Sequence, residues 1–367
     1  MNTQNNSRSP AGPMVERESI KHKFVDRMKA HPIASFFVLA LLMMYVLGFP
    51  VVYLIGLSTD QPLLNLLLLY AGEMAVYSPV LVGMFVTRQI LPDQTPASTW
   101  KRRLAFWIVW LVGLIVYTLD LRRGTPEEVL GWIPLMIISM PVALLPAFVL
   151  SRTFSRVTSL RSYFSTLLHP GGNLIWYLIA LLTFPVISFL GLMITRLMTG
   201  ESLFSGLSIT PGILLAALVT FARVVFYTGG INEEGGWRGF AQRRLQDRYS
   251  PLTANLLLWV YLVLWHIPND MLNPPGGSAD TYLLIRIGIY PFITILIGWV
   301  YNRTGGGLLA PVIFHASMNM MDVLPLPFTN AGNILLVLFA VFAILVDRMW
   351  KKLPSDHPAV YQKPTPA

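Results

Sequence analysis

The 367-residue chain contains no cysteine. That removes disulfide frameworks, thiolate nucleophiles and cysteine-ligated metal centres together. Charge is scarce too: Asp, Glu, Lys and Arg make up 12% of the residues, and only six histidines occur, His22, His31, His169, His266, His315 and His357. Short alternating strands of the membrane-barrel kind are missing, as are a repeat of fixed period and a polar second domain. What fills the space is apolar sequence. Hydrophobic residues reach 54%, mean hydropathy is +0.58, and several runs attain the ~20 residues that span a bilayer. Length alone would allow two soluble domains; this composition predicts an all-α polytopic transmembrane helical bundle.

Ten spans are expected, with eight to ten as the range: about 33–56, 64–87, 104–121, 129–150, 173–195, 211–231, 252–268, 282–301, 305–322 and 331–347. The net charge of +9 is not a nucleic-acid signal, because its basic residues sit in short loops between apolar runs. Arg88, Lys101, Arg102 and Arg103 fall on one side, with Arg152, Arg156, Arg161, Arg243, Arg244, Arg248, Arg303, Arg348, Lys351 and Lys352. The opposite loops are poor in Lys and Arg apart from Arg122, Arg123 and Arg196. The expectation is a bacterial plasma-membrane protein with both termini cytoplasmic. The chain divides into a basic segment (1–31), N-terminal transmembrane helices (32–205), a transmembrane core (206–350) and a tail (351–367). Met1–Pro13 and Pro354–Ala367 read as disordered, and Lys21–Ala30 as a surface amphipathic helix. The first apolar run is too long for a signal peptide and reads as an anchor. Pro134, Pro141 and Pro146 should kink the fourth span. Trp176 and Trp350 read as interface anchors.

One stretch departs from this apolar background: Ile231-Asn232-Glu233-Glu234-Gly235-Gly236-Trp237-Arg238-Gly239-Phe240. A charge near the bilayer centre costs roughly 2.5–3.5 kcal/mol on insertion scales, so adjacent carboxylates need a partner, a proton or a job. On a helix, Glu234 and Arg238 share a face at i and i+4. Gly235, Gly236 and Gly239 thin the surface for a close approach by a helix or a substrate backbone. The plainer reading is the wet end of a membrane helix. Two histidines lie inside long apolar runs, His266 and His315, and Asn319 follows His315 by one helical turn. Buried groups of this kind are paired or functional. The structural alternatives are a helix-capping His266 and an interhelical His315–Asn319 hydrogen-bond pair. Glu73 and Arg223, near the centres of spans two and six, read as structural partners across helices.

Glu233-Glu234-x-x-x-Arg238, His266 in Leu-Trp-His-Ile-Pro, and His315-x-x-x-Asn319 together resemble the CPBP family of CAAX prenyl endopeptidases and bacteriocin-processing or immunity (Abi) membrane proteins. The similarity covers roughly residues 211–347. The family's second motif is Phe-x-x-x-His, and Leu262 stands at the phenylalanine position. Peptide hydrolysis needs an activated water, a stabilised oxyanion and a proton for the leaving amine. Glu233 suits a general base, and adjacent carboxylates in a low-dielectric site disfavour double ionisation. Arg238 would hold Glu234 in place. His266 suits water orientation, and His315 with Asn319 an oxyanion site. The resemblance implies the same roles, and a membrane-associated protein or peptide as substrate. The alternative function is a non-hydrolytic immunity factor or transporter-like binder, although the inverted repeats of a transporter are not apparent.

Zinc is the possible cofactor, with Glu234, His266 and His315 as ligands and an open fourth position. The family has been described both as metalloproteases and as glutamate-dependent proteases. The three residues come from separate helices without a His-Glu-x-x-His pair. The only acidic residue close in sequence to either histidine is Asp270, and Asn319 suits an oxyanion donor better than a ligand. No metal is therefore favoured. One geometric conflict arises. The loop charges put Glu233 at a helix end, whereas His266 lies about 21 Å along its helix at ~1.5 Å per residue. Shared chemistry requires span six to continue past Gly236, or span seven to start inside the membrane; the first is the expectation.

Overall fold

A computed structural model describes residues 13–54, 61–90, 99–154, 164, 167, 171–272 and 284–362, with side chains from residue 22 onward. The expected disorder of 1–12 and of 363–367, and the loop arginines Arg156 and Arg161, lie outside the described residues. The described part is helical throughout: α1 (Pro13–Ala30), α2 (Pro32–Leu54), α3 (Pro62–Val76), α4 (Ser78–Ile90), α5 (Trp100–Gly124), α6 (Trp132–Leu150), α7 (Leu174–Thr199), α8 (Pro211–Phe226), α9 (Arg243–Arg248), α10 (Pro251–Leu272), α11 (Tyr290–Arg303), α12 (Leu309–Met320) and α13 (Asn330–Val346).

Local signals account for many of the boundaries. Thr99, Asn173, Thr210 and Thr329 accept hydrogen bonds from the first-turn amides of α5, α7, α8 and α13, satisfying donors that a helix start leaves unpaired. Gly200 ends α7 in the left-handed conformation at φ 75°, which a residue without Cβ adopts at little cost. Pro141 and Pro146 sit inside α6, whereas Pro134 occupies its first turn, where no intrahelical N–H is lost. The outward surface is apolar: Ile133 is 73% and Met198 81% exposed. Such a surface belongs in lipid rather than water.

Among the described residues, seven helices are long and apolar enough to cross a membrane, or eight if α3 and α4, bent by 55°, form one span. The expected bundle is present, and about ten spans is an approximate count: eight is the low end of the expected range and seven falls one below it. Counterparts of spans nine and ten exist, but α12 has 12 residues and α13 has 17. At ~1.5 Å per residue α12 reaches about 18 Å, short of the ~30 Å hydrocarbon layer. It is apolar because it is packed between α7, α8 and α11, a setting that periodicity does not separate from lipid exposure.

Two separate apolar cores hold the helices together. One joins α2, α4 and α10 around Phe36, Phe37, Trp237, Phe240 and Trp265. The other joins α7, α11, α12 and α13 around Phe184, Leu296, Trp299 and Phe314. Trp176, expected as an interface anchor, packs edge-on against Trp299 at 5.0 Å; Trp350 is half exposed.

The tail needs a second correction. Residues 351–362, assigned to a disordered tail, are seated on α9. Ala359 and Val360 are buried. Arg243 Nε donates to Val360 O at 3.2 Å, Gln246 Nε2 to Ala359 O at 2.9 Å, and Tyr361 N to Arg243 O at 3.0 Å. The Arg244 guanidinium lies between the Phe240 and Tyr361 rings, 3.8 and 4.1 Å from their centroids. Proline content predicted disorder from composition; two small apolar side chains and open backbone carbonyls instead found a groove.

Candidate active site

The site is built around an interruption of α8. After Phe226 the chain enters a wide, π-helical turn at Gly230–Glu234 and another at Trp237–Gln242, then resumes as α9. Such turns insert a residue into the helical ladder and recur at functional sites. Counted together, Pro211–Arg248 is one apolar segment of 38 residues. Span six therefore continues past Gly236, and the glutamates lie inside the bundle rather than at its edge. That agrees with the first of the two resolutions of the depth conflict.

Side chains hold this turn in place. Asn232 is fully buried; its Oδ1 accepts from Gly229 N at 3.0 Å and its Nδ2 donates to Val76 O at 3.1 Å. Trp265 Nε1 donates to Ser78 Oγ at 2.8 Å. Gly236 lies against the Pro79 backbone and Gly235 against Val80, so the glycine face serves approach by α4. Gly229 has φ 112°, and a Cβ there would collide with the His315 imidazole. Glycine is required at 229 on both counts.

Glu234 is completely buried, and Glu233 is 5% exposed. The Glu234 carboxylate is ion-paired, although its Oε2 makes no hydrogen bond among the described residues. Arg238 Nη1 lies 3.2 Å from its Oε1 and 3.1 Å from its Oε2, and His315 Nδ1 lies 2.8 Å from Oε1. Arg238 Nη2 also donates to Thr294 O at 3.4 Å. Glu233 Oε2 has no hydrogen-bond partner among the described residues. Both carboxylates keep an Oε2 without a hydrogen-bond partner among the described residues; they differ in that Glu234 is ion-paired with Arg238 and His315.

His266 Nδ1 lies 2.7 Å from Leu262 O. A carbonyl only accepts, so Nδ1 carries a proton, and in the neutral ring Nε2 keeps its lone pair. The contact uses the backbone of residue 262, so leucine at the expected phenylalanine position leaves it intact. Leu262 itself is buried.

Glu233, Glu234, Arg238, His266, His315 and Asn319 all line one cavity of about 210 Å³, together with Asn269, Arg286 and Tyr290. They come from the interrupted helix, α10 and α12. Sequence reasoning missed Arg286 and Gly229. The first could have been found as a lone basic residue in the apolar run Leu283–Tyr290; the second has no signal without the fold. Glu73 and Arg223 are not each other's ion-pair partner. Tyr117 Oη donates to Glu73 Oε1 at 2.7 Å, and Arg223 Nε lies 2.9 Å from Asp120 Oδ2.

The zinc set was tested on this geometry. His315 Nδ1 and Glu234 Oε1 face each other as donor and acceptor, and Arg238 occupies the other side of the same carboxylate. Among the described residues no three His, Asp or Glu side chains are grouped as metal ligands. Asp270, the nearby acidic residue, is directed at Arg286 rather than at His266.

Residues 215–321 match the family model described as type II CAAX prenyl endopeptidase Rce1-like. Over that segment the chain is similar to this family. All six candidate residues fall inside it. A curated relative, CAAX prenyl protease 2 of Methanococcus maripaludis, is 32% identical over 125 residues, which cover 32% of this chain and 46% of the relative. The matched part thus spans about half of that relative's length. The described helices carry the segment inside an integral membrane protein.

Proposed function

We propose that the protein is an intramembrane endopeptidase that hydrolyses a peptide bond of a membrane-associated protein or peptide, by a water activated at Glu233. The observation that carries this reading is the free Glu233 oxygen in the same cavity as His266, whose Nε2 lone pair is left available by the Leu262 contact. A water held between them gives its proton to the Glu233 carboxylate as its oxygen attacks the substrate carbonyl. The same carboxyl then returns the proton to the leaving amine.

The developing oxyanion is assigned to His315 and Asn319. For His315 this carries a condition. With one proton, on Nδ1 towards Glu234, its Nε2 accepts and does not donate. An Nε2–H donor requires the Glu234–His315 pair to hold two protons, with Arg238 retaining the carboxylate charge. Asn319 donates through its amide without any such condition. Arg238 acts through Glu234 and is a positioning residue. No metal is assigned, because the Glu234 carboxylate is committed to Arg238 and His315. Both termini are proposed on the cytoplasmic side of a bacterial plasma membrane, on the strength of the Lys/Arg-rich loops, which takes an even number of crossings, eight with α3 and α4 as one span.

The test is cleavage by the purified protein in liposomes of a quenched-fluorescent peptide bearing an S-farnesyl cysteine and three further residues, alongside mapping of new N- and C-termini in cells with and without the chain. Hydrolysis by the wild type and its loss in Glu233→Gln is the expected result. Binding of the peptide without new termini in either experiment would favour the non-hydrolytic alternative.

A further inference from the structure

The reading above leaves one buried cation in the cavity unused. Arg286 lies in the π-helical turn Leu284–Ile289 that leads into α11, and it is 4% exposed. Three contacts fix it. Its Nε and Nη2 donate to Asp270 Oδ2 and Oδ1 at 2.8 and 2.5 Å. Its guanidinium carbon lies 4.1 Å from the Tyr290 ring centroid. Its own backbone carbonyl accepts from Trp259 Nε1 at 2.8 Å. The remaining nitrogen, Nη1, is buried and has no hydrogen-bond partner among the described residues, although Arg286 lines the cavity with Glu233 and His266.

A buried donor left unmade costs about 1–3 kcal/mol, more when charged, and such groups call for an explanation. A guanidinium locked on one edge by a carboxylate and on one face by a ring loses little entropy on accepting a further partner. The partner's charge follows from the surroundings. Asp270 already neutralises Arg286, and Glu233 adds a carboxylate to the same cavity. A further anion would be repelled, whereas a neutral acceptor gains two N–H donors without that penalty.

We propose that Arg286 is a substrate-contacting residue: its free Nη1 donates to a backbone carbonyl of the substrate peptide flanking the scissile bond. This rests on the endopeptidase reading and adds to it a residue that sets the peptide's register against Glu233. Asp270 and Tyr290 are positioning residues for it. A fixed donor of this kind acts on any side chain sequence, so it selects for an extended backbone at one position.

The experiment uses the full-length protein in liposomes and the farnesylated peptide above, as a series in which each carbonyl flanking the scissile bond is replaced in turn by a methylene. Wild type is compared with Arg286→Gln and with the double variant Asp270→Asn/Arg286→Gln, which leaves no uncompensated carboxylate if the single variant fails to fold; thermal unfolding reports folding. The contact predicts a loss in kcat/KM on the order of 10- to 100-fold for Arg286→Gln on the parent peptide. On the one peptide lacking the contacted carbonyl, the variant and the wild type should differ by less than about threefold. Equal losses on every peptide would overturn the contact and leave Arg286 a structural cation. A loss that disappears when the peptide ends in an amide would also overturn it, assigning the partner as the terminal carboxylate. A wild type that cuts none of the series, while mapping of termini in cells finds no product, removes the endopeptidase reading and this inference with it.

Discussion

Glu233 and Glu234 are neighbours in sequence with opposite situations. One carboxylate is ion-paired with Arg238 and His315; the other has an Oε2 with neither an ion-pair nor a hydrogen-bond partner among the described residues. Glu233→Gln should abolish cleavage by at least about 10²-fold, as removal of a general base does, while the unfolding temperature stays within a few degrees. An active Glu233→Gln protein would transfer the base to another group. Arg238→Ala should act differently. It strands a buried carboxylate, a change worth about 3–5 kcal/mol of stability, so lower yield and a lower unfolding midpoint should accompany lost activity. Arg238→Lys should recover only part of both, because one ammonium does not reproduce the planar fork that meets Glu234 and Thr294 O. A stable, active Arg238→Ala protein would remove the positioning role.

At the scale of elements, the interrupted helix is held at both ends. Asn232 ties its beginning to the α3–α4 junction. Further on, Gln242 Nε2 donates to Gln246 Oε1 at 3.0 Å and to Gly298 O at 3.3 Å, and Asn302 Nδ2 donates to Gln246 Oε1 at 3.0 Å. Gln246 then reaches the tail through Ala359 O. This row of buried amides links the tail to the turn that carries Arg238. Ending the chain after Leu353 removes the three tail hydrogen bonds to Arg243 and Gln246, together about 2–4 kcal/mol. The expected outcome is a lower thermal midpoint and reduced cleavage, measured on the truncated and full-length proteins in the same detergent. An unchanged midpoint would mean that the tail contact contributes nothing in the membrane protein.

For the molecule as a whole, the absence of cysteine permits a direct test of orientation. Single cysteines introduced at Lys23 and Lys351 should react with an impermeant maleimide from the same, cytoplasmic, side of sealed vesicles. Labelling from opposite sides would reverse the parity deduced from the basic loops. Metal dependence is also a property of the intact protein. Chelator-stripped enzyme should retain its activity, with metal content measured in parallel. Activity lost on stripping and restored by one equivalent of zinc would reassign His266 and His315 as ligands.

Fold class, the six cavity residues and the Glu234–Arg238 pairing were legible in the residues themselves. Apolar runs of bilayer length leave helices as the form in which every backbone group is satisfied, and charges inside such runs are too costly to be idle. Three things were decided only by tertiary structure. Whether an apolar segment meets lipid or protein does not depend on its own composition, so α12 read as a span although it is a buried 12-residue helix. That His315 also holds the Glu234 carboxylate depends on the packing of α12 against the turn, because the two residues are 81 positions apart. The Asp270–Arg286 pair and the seat of the tail join residues 16 and more than 100 positions apart; no periodicity connects them, since the contact exists only after the helices that bear them have packed.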